Sequence, residues 1–165
     1  MRTEDAAIPE RDRPPLGYFD GREHHFPIRV FYEDTDFSGV VYYANYLRFL
    51  ERARSSYFRL AGIGHAELLE RDPPLAFVIR KINLDYRSSA RIDDVLSVVT
   101  TYDTFKGARL FVTQRIERDG QIILTADSEA ACIDLSGRPR RAPAFMMDAL
   151  KPYLSDTSSG AKTDG

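Results

Sequence analysis

Cysteine is almost missing from this 165-residue chain, which holds one, Cys132. An internal disulfide is thereby excluded, and a reducing compartment or indifference to redox state is expected. Cys132 falls in a strand pattern, where a small buried residue is the expected role. No apolar run is long enough to cross a bilayer, and no hydrophobic signal core follows Met1. The expected setting is the cytoplasm, without integral membrane association. An excess of one charge is also lacking. The formal net charge is −2, too little to gather nucleic acid or an anionic membrane. Gly-rich phosphate loops, dinucleotide fingerprints and zinc-type cysteine spacings do not occur, so no cofactor is expected.

What remains is 43% hydrophobic, enough for one packed domain with short appendages. Residues 1–25 are rich in Pro, Arg, Asp and Glu without periodicity and read as a loose extension, with His24 and His25 a solvated pair. Residues 155–165 are small and polar and read as a disordered tail. The domain between them, residues 26–154, opens with "FPIRVFYED", Phe26 to Asp34, where Ile28, Val30 and Tyr32 alternate with Arg29, Phe31 and Glu33, as in a strand. Asn45 to Ala61 reads as a helix. Its apolar face is Tyr46, Phe49, Leu50, Ala53, Tyr57, Leu60 and Ala61, and Gly62 and Gly64 stop it.

After Pro73-Pro74 come four runs rich in Val, Ile, Thr and aromatics. They are "LAFVIRKINLDYR", "DVLSVVTTYDTF", "RLFVTQRIERDG" and "QIILTADSEAACIDL". Asp119-Gly120 is a hairpin signal, and Lys106-Gly107 marks a second tight connection, so the last three strands form a meander. Pro143 to Tyr153 suits a short terminal helix. One long helix with this much sheet gives an α+β pair of layers. The sheet curls around the helix and leaves an edge or face that a second copy would cover.

The stretch "RVFYEDTDFSGVVYYANYLRFLERAR", Arg29 to Arg54, resembles the signature of the hotdog-fold acyl-CoA thioesterases. The nearest branches are the Tol–Pal-associated acyl-CoA thioesterases and the 4-hydroxybenzoyl-CoA thioesterases. The likeness continues through "INLDYRSSARIDDVLSV", Ile82 to Val98, and on to about Ala142. It implies a hotdog fold, a curled antiparallel sheet wrapped around one long central helix, with a homodimer or homotetramer carrying sites at subunit interfaces. By this resemblance Asp36 is the catalytic carboxylate, either as nucleophile on the thioester carbonyl or as base for a water. The backbone N–H of Tyr43, where the helix begins, is the oxyanion donor. Tyr32, Gly39 and Val40 line the substrate, with Gly39 giving a tight turn without a Cβ. A strand aromatic in the core is the competing role for Tyr32.

The sequence departs from the pattern at Tyr43, where the Tol–Pal branch usually has histidine, and at Ser89, where many relatives have proline. A histidine mechanism at position 43 is thereby excluded. Read from the residues alone, the carboxylates of "EDTDFSG" would be an acidic turn or a helix cap. Arg138, Arg140 and Arg141 suit the phosphates of coenzyme A, against the plainer reading of a solvated loop.

Other candidates are weaker. Asp34 and Asp36 form no metal-ligand cluster with other residues. His65 reads as a loop histidine, Ser55 and Ser56 lack a nucleophile elbow, and Glu51 pairs with neighbouring arginines on the helix. The expected activity is hydrolysis of an acyl-CoA without a cofactor. The alternative is a module that binds acyl-CoA or acyl carrier protein without hydrolysis. A hotdog dehydratase is disfavoured by the lack of histidine in Asp36–Asn45. Phe37, Tyr42, Tyr43 and Phe77 suit aliphatic and aromatic acyl groups alike.

Overall fold

The computed structural model describes residues 8–154. Ordered strand begins earlier than the sequence pattern suggests. Strand β1, Tyr18–Asp20, turns at Gly21 into β2, Glu23–Arg29, and the two pair antiparallel. The stretch read as loose is therefore sheet from Tyr18 onward. Its anchor is His24, which is fully buried rather than solvated. The ring sits against Phe19 and Tyr57, and Nε2 lies 2.7 Å from the Leu16 carbonyl. Gly17 permits this approach, since a Cβ there would run into the His25 carbonyl. Residues 1–7 and the tail, residues 155–165, lie outside the described residues.

The strand also ends earlier than expected. Val30 is buried and donates its N–H to Asp94 O, but Tyr32–Asp34 is a 3₁₀ turn. The Asp34 carboxylate accepts the Phe31 N–H at 2.8 Å and bends the chain out of line. Tyr32 is consequently 83% exposed and does not join the core of its own chain.

Helix α1, Asn45–Leu60, buries Tyr46, Phe49, Leu50, Ala53, Ser56, Tyr57 and Phe58. Leu60, its last residue, is exposed, and Gly62 takes the left-handed conformation (φ 89°) that ends the helix. A second helix, α2, His65–Leu69, follows at once. Five residues are too few to leave a periodic signal in the sequence.

The four long strands form where the β-rich runs lie. They are β3 Leu75–Tyr86, β4 Val95–Tyr102, β5 Arg109–Arg118 and β6 Gln121–Asp134. Asp119 (φ 53°) and Gly120 (φ 75°) make the tight β5–β6 hairpin. Helix α3, Ala144–Leu150, starts directly after Pro143. The sheet runs β1-β2-β4-β5-β6-β3, antiparallel throughout, with β4, β5 and β6 as the meander. Short β1 closes one edge. The other edge is the twelve-residue β3, which pairs only with β6 among the described residues.

The core has two clusters along α1. Tyr46, Phe49, Leu50 and Ala53 meet Ile28, Leu96, Val98 and Ile116 at one end. Tyr57 and Phe58 meet Tyr102, Leu110, Met146 and Leu150 at the other. Between them Gln114 fastens helix to sheet. Its amide donates to Leu50 O and Thr100 Oγ1, both at 3.0 Å, and accepts from Arg54 at 2.9 Å. A buried amide so fully paired escapes the usual desolvation penalty. At the far end the Phe19 ring of β1 stacks on Tyr153, centroids 3.8 Å apart.

Candidate active site

The acidic loop leads from the 3₁₀ turn to α1. Its three carboxylates take three different positions. Glu33 is exposed on the turn. Asp34 is buried and structural, since its carbonyl also accepts Tyr42 N–H at 3.0 Å and Asn45 Nδ2 at 2.8 Å. Asp36 is exposed at the head of a tight turn. Its N–H reaches Val40 O and its carbonyl accepts Gly39 N–H, each at 3.0 Å. Asp36 Oδ1 accepts from the Ser38 N–H at 2.8 Å and from the Ser38 hydroxyl. Asp36 Oδ2 takes no hydrogen bond from the described residues. The loop thus pins one carboxylate oxygen and leaves the other available.

Gly39 has φ 79°, and a Cβ there would meet nothing within 4 Å. Glycine is needed for the backbone conformation, not for clearance from the rest of its own chain. Val40 is half-buried and bridges to Arg91, and Val41 donates to Ala90 O at 2.8 Å. These bonds tie the loop to the chain just beyond β3.

Tyr42 and Tyr43 follow, both exposed, with rings 4.9 Å apart. The Tyr42 hydroxyl is held above its ordinary value, first by the Tyr43 hydroxyl beside it and last by the Asp36 charge. The carboxylate and both phenols therefore share one neighbourhood. The Tyr43 carbonyl accepts the Tyr86 hydroxyl at 3.0 Å. Its N–H donates to no described residue. Helix α1 follows with Ala44 as N-cap and no side-chain cap, and its first N–H groups are partly spent, Asn45 on Tyr42 O at 2.8 Å and Leu47 on Ala44 O at 3.2 Å.

The loop brings Asp36, Gly39, Val40 and Tyr43 together. Tyr32 lies on the same turn system, through Thr35, whose N–H and hydroxyl both donate to Tyr32 O. The arginines are elsewhere. Tyr86 pairs with Leu124 and Leu75 with Asp134, so these two ends of the β3–β6 ladder are about 33 Å apart. Asp36 is tied to the Tyr86 end, whereas Arg138, Arg140 and Arg141 follow Asp134. Arg140 is already engaged, with Nε at 2.9 Å and Nη2 at 2.8 Å from Asp134 Oδ2. The Asp134 carboxyl is held far below its usual range, first by the Ser136 hydroxyl and then by the Arg138 N–H and Arg140. Arg138 and Arg141 are exposed.

A second group of side chains lies on α1 and α2. Glu51 does not pair with an arginine as expected. The Ser55 hydroxyl donates to its Oε1 at 2.6 Å, while Arg54 turns inward to Gln114. His65 is the first residue of α2 rather than a loop histidine, with Nε2 3.4 Å from Ser55 Oγ. The three rim a cavity of about 100 Å³ floored by Phe58, Phe77 and Tyr102. The sequence signal was the Glu51–Ser55 spacing, which puts both residues on one helix face. His65 joins them only through the turn at Gly62. Among the described residues no group of three or more His, Cys, Asp or Glu converges to hold a metal.

Residues 30–150 match the family model described as the thioesterase-like superfamily. The chain belongs to the thioesterase-like superfamily. An acyl-CoA thioesterase YbgC of Haemophilus influenzae is 44% identical over 110 residues, covering 67% of this chain and 80% of that protein. An acyl-CoA thioester hydrolase YbgC of Escherichia coli is 37% identical over 128 residues, 76% and 94% of the two chains. The crystal structure of a probable thioesterase from Bartonella henselae superposes with TM-score 0.71 at 40% identity, covering 73% of this chain and 99% of the other. The fold is that of the hotdog thioesterases, and the resemblance carried by Arg29–Arg54 is borne out at the level of the family.

Proposed function

We propose that the protein hydrolyses the thioester of an acyl-CoA, with Asp36 and the Tyr43 N–H as its catalytic pair. The observation that carries this reading is the pairing of a half-satisfied, exposed carboxylate with an unspent N–H on one short loop. Two routes fit. Asp36 attacks the carbonyl carbon, the C–S bond breaks, and water hydrolyses the resulting anhydride. Alternatively Asp36 takes a proton from water as the water oxygen attacks. Either way the carbonyl oxygen gains charge opposite the Tyr43 N–H, and the thiolate leaves and takes up a proton. Losing one such oxyanion donor costs about 3 kcal/mol. Ser38 holds Asp36 in place through Oδ1 and leaves Oδ2 for the chemistry. Tyr32, Gly39 and Val40 border the same space.

The long β3 edge supports a homodimer. Among the described residues its outer backbone groups have no partner strand, and Val78, Ile79 and Tyr86 are exposed along it. Lys81 and Asp85 share one exposed face on either side of Asn83, so an antiparallel second copy centred there sets Lys81 against Asp85, which Arg87 also contacts at 2.9 Å. Such pairing also reverses the ladder. The exposed Arg138 and Arg141 of one chain then approach the Asp36 loop of the other, where they suit the phosphates of the bound coenzyme A. A reducing, cytoplasmic setting agrees with the single buried Cys132. No described helix is long and apolar enough to cross a membrane.

The test is thiol release from a panel of acyl-CoAs by wild-type protein and by Asp36→Asn, with folding monitored by circular dichroism. Loss of at least a hundredfold in kcat with the fold intact is expected. Parent-rate hydrolysis by the folded variant refutes the role of Asp36, and binding without thiol release by the wild type would favour a recognition module.

A further inference from the structure

Tyr86, the last residue of β3, opens a short segment that grips the Asp36 loop at both ends. Its hydroxyl donates to the Tyr43 carbonyl at 3.0 Å. Further along the segment, Ala90 O accepts the Val41 N–H at 2.8 Å, and Arg91 bridges to Val40. Val40 O in turn accepts the Asp36 N–H at 3.0 Å. One piece of chain, residues 86–91, therefore sets how the Asp36 turn stands relative to the start of α1. That piece is itself fixed. The Arg87 and Ser88 N–H groups both donate to Ile123 O, at 2.9 and 3.1 Å, and Arg118 Nη1 donates to Ser89 O at 2.8 Å.

Two bonds place the free Tyr43 N–H. The peptide that carries it has Tyr42 O as its carbonyl, which accepts the Asn45 N–H at 2.8 Å. In a trans peptide the N–H and C=O point opposite ways, so this bond sets the direction of the donor. The next peptide presents Tyr43 O, whose donor among the described residues is the Tyr86 hydroxyl. The Leu47 N–H, which would supply an α-helical bond to that oxygen, turns instead to Ala44 O at 3.2 Å. The Tyr86 bond thus sets where residue 43 sits. The buried Tyr46 ring steadies the Tyr86 ring edge-on, centroids 5.8 Å apart. The Tyr86 hydroxyl is held above its ordinary value of 10.0, first by burial and then by the Tyr43 and Tyr46 phenols, so it keeps its proton at neutral pH. Tyr86 and Tyr43 are 44% and 63% exposed, so water can replace the bond and its loss costs the fold little. What the bond supplies is position.

Resting on the thioesterase reading above, we propose that Tyr86 is a positioning residue for hydrolysis, whose hydroxyl, through the Tyr43 carbonyl, seats the Tyr43 N–H at the distance from Asp36 that the developing oxyanion requires. Tyr86 touches neither substrate nor carboxylate and acts only through residue 43. Losing an oxyanion donor outright costs about a hundred- to a thousandfold in kcat. Tyr86 governs the placement of that donor and not its existence, so about tenfold is expected from its hydroxyl. The effect falls on the transition state, where the oxygen carries charge, and not on the bound thioester.

The experiment compares the full-length wild type with Tyr86→Phe, which keeps the ring contacts with Tyr43 and Tyr46. Thiol release is followed on the acyl-CoA that the wild type turns over fastest. Per folded molecule, kcat should fall about tenfold while KM stays within about twofold. Tm should move by no more than about 3 °C, since no buried group is stranded. Two non-hydrolysable analogues separate position from packing. A trifluoromethyl ketone analogue of the acyl-CoA, tetrahedral when hydrated, should bind about tenfold more weakly to the variant, in step with kcat/KM. An S-alkyl-CoA thioether of the same length has no carbonyl oxygen and should bind both proteins equally. A kcat equal to that of the wild type overturns the proposal. So does a loss carried by KM with both analogues weakened alike, because the ring would then serve binding alone. If Tyr86→Phe aggregates, Tyr86→Gln, whose amide ends short of the Tyr43 carbonyl, is read in the same way. A wild type that hydrolyses no member of a wider acyl-CoA panel refutes the thioesterase reading itself, whereas an active wild type matched by Tyr86→Phe refutes only the role of Tyr86.

Discussion

Tyr46→Phe removes one oxygen atom and tests how the Asp36 loop is held. The Tyr46 hydroxyl accepts the Ala90 N–H at 2.9 Å, and the Ala90 carbonyl accepts the Val41 N–H at 2.8 Å. Ala90 therefore links the first turn of α1 to the end of the Asp36 loop. Tyr46 and Ala90 are both buried, at 3% and 0% exposure. Phenylalanine keeps the ring and its edge contact with Phe49, so the packing term changes little. What changes is that the Ala90 N–H is left buried without an acceptor, a cost of about 1–3 kcal/mol. For a domain of this size each kcal/mol moves the midpoint by about 2–4 °C, so Tm should fall by roughly 2–12 °C. Burial holds the Tyr46 hydroxyl above its ordinary value of 10.0, so the loss should be the same at pH 6 and pH 9. Thermal unfolding by circular dichroism at both pH values measures it, and acyl-CoA turnover of the folded variant should drop with it. A midpoint within 1 °C of wild type would show that water or a loop shift satisfies Ala90, and that the bond does not hold the loop.

Burial lowers the His24 pKa below its ordinary 6.5, against the raising effect of the Leu16 carbonyl. The folded state thus binds fewer protons than the unfolded state. His24 contributes stability that is full above about pH 6.5 and is lost as pH falls through the folded value. Tm should therefore decline from pH 7 to pH 5, and the His24→Leu variant should show a flatter profile. An equal slope in both would refute it. Arg140→Ala should lower Tm by leaving the Asp134 carboxylate without its guanidinium, whereas Arg141→Ala should leave Tm unchanged and raise KM for acyl-CoA in a salt-sensitive way. Equal Tm loss in both, or a KM indifferent to Arg141, would count against that division.

Where the sequence was legible, the signal was local. The apolar spacing of Tyr46, Phe49, Leu50, Ala53 and Tyr57 specified α1, and Asp119-Gly120 specified a hairpin that only left-handed residues make tightly. Alternation at Ile28 and Val30 was correct but could not say where the strand stops, because Asp34 ends it with a side-chain bond. His24 was misread because its surroundings in sequence are polar, while its surroundings in space are Phe19, Phe26 and Tyr57. The loop from Asp36 to Tyr43 was readable because it is contiguous. The meeting of Glu51 and Ser55 with His65 and Phe77 was not, since it depends on a helix stop and on a strand that returns from elsewhere. Arg140 looked free for phosphate because its carboxylate partner lies across a turn.

The stack of Phe19 on Tyr153 has a structural corollary. These rings belong to the first strand and to the segment just past the last helix, and each leans on Tyr57 in the middle of the chain. Shortening the protein after Leu150 would thus strip cover from β1, at the opposite extreme of the sequence.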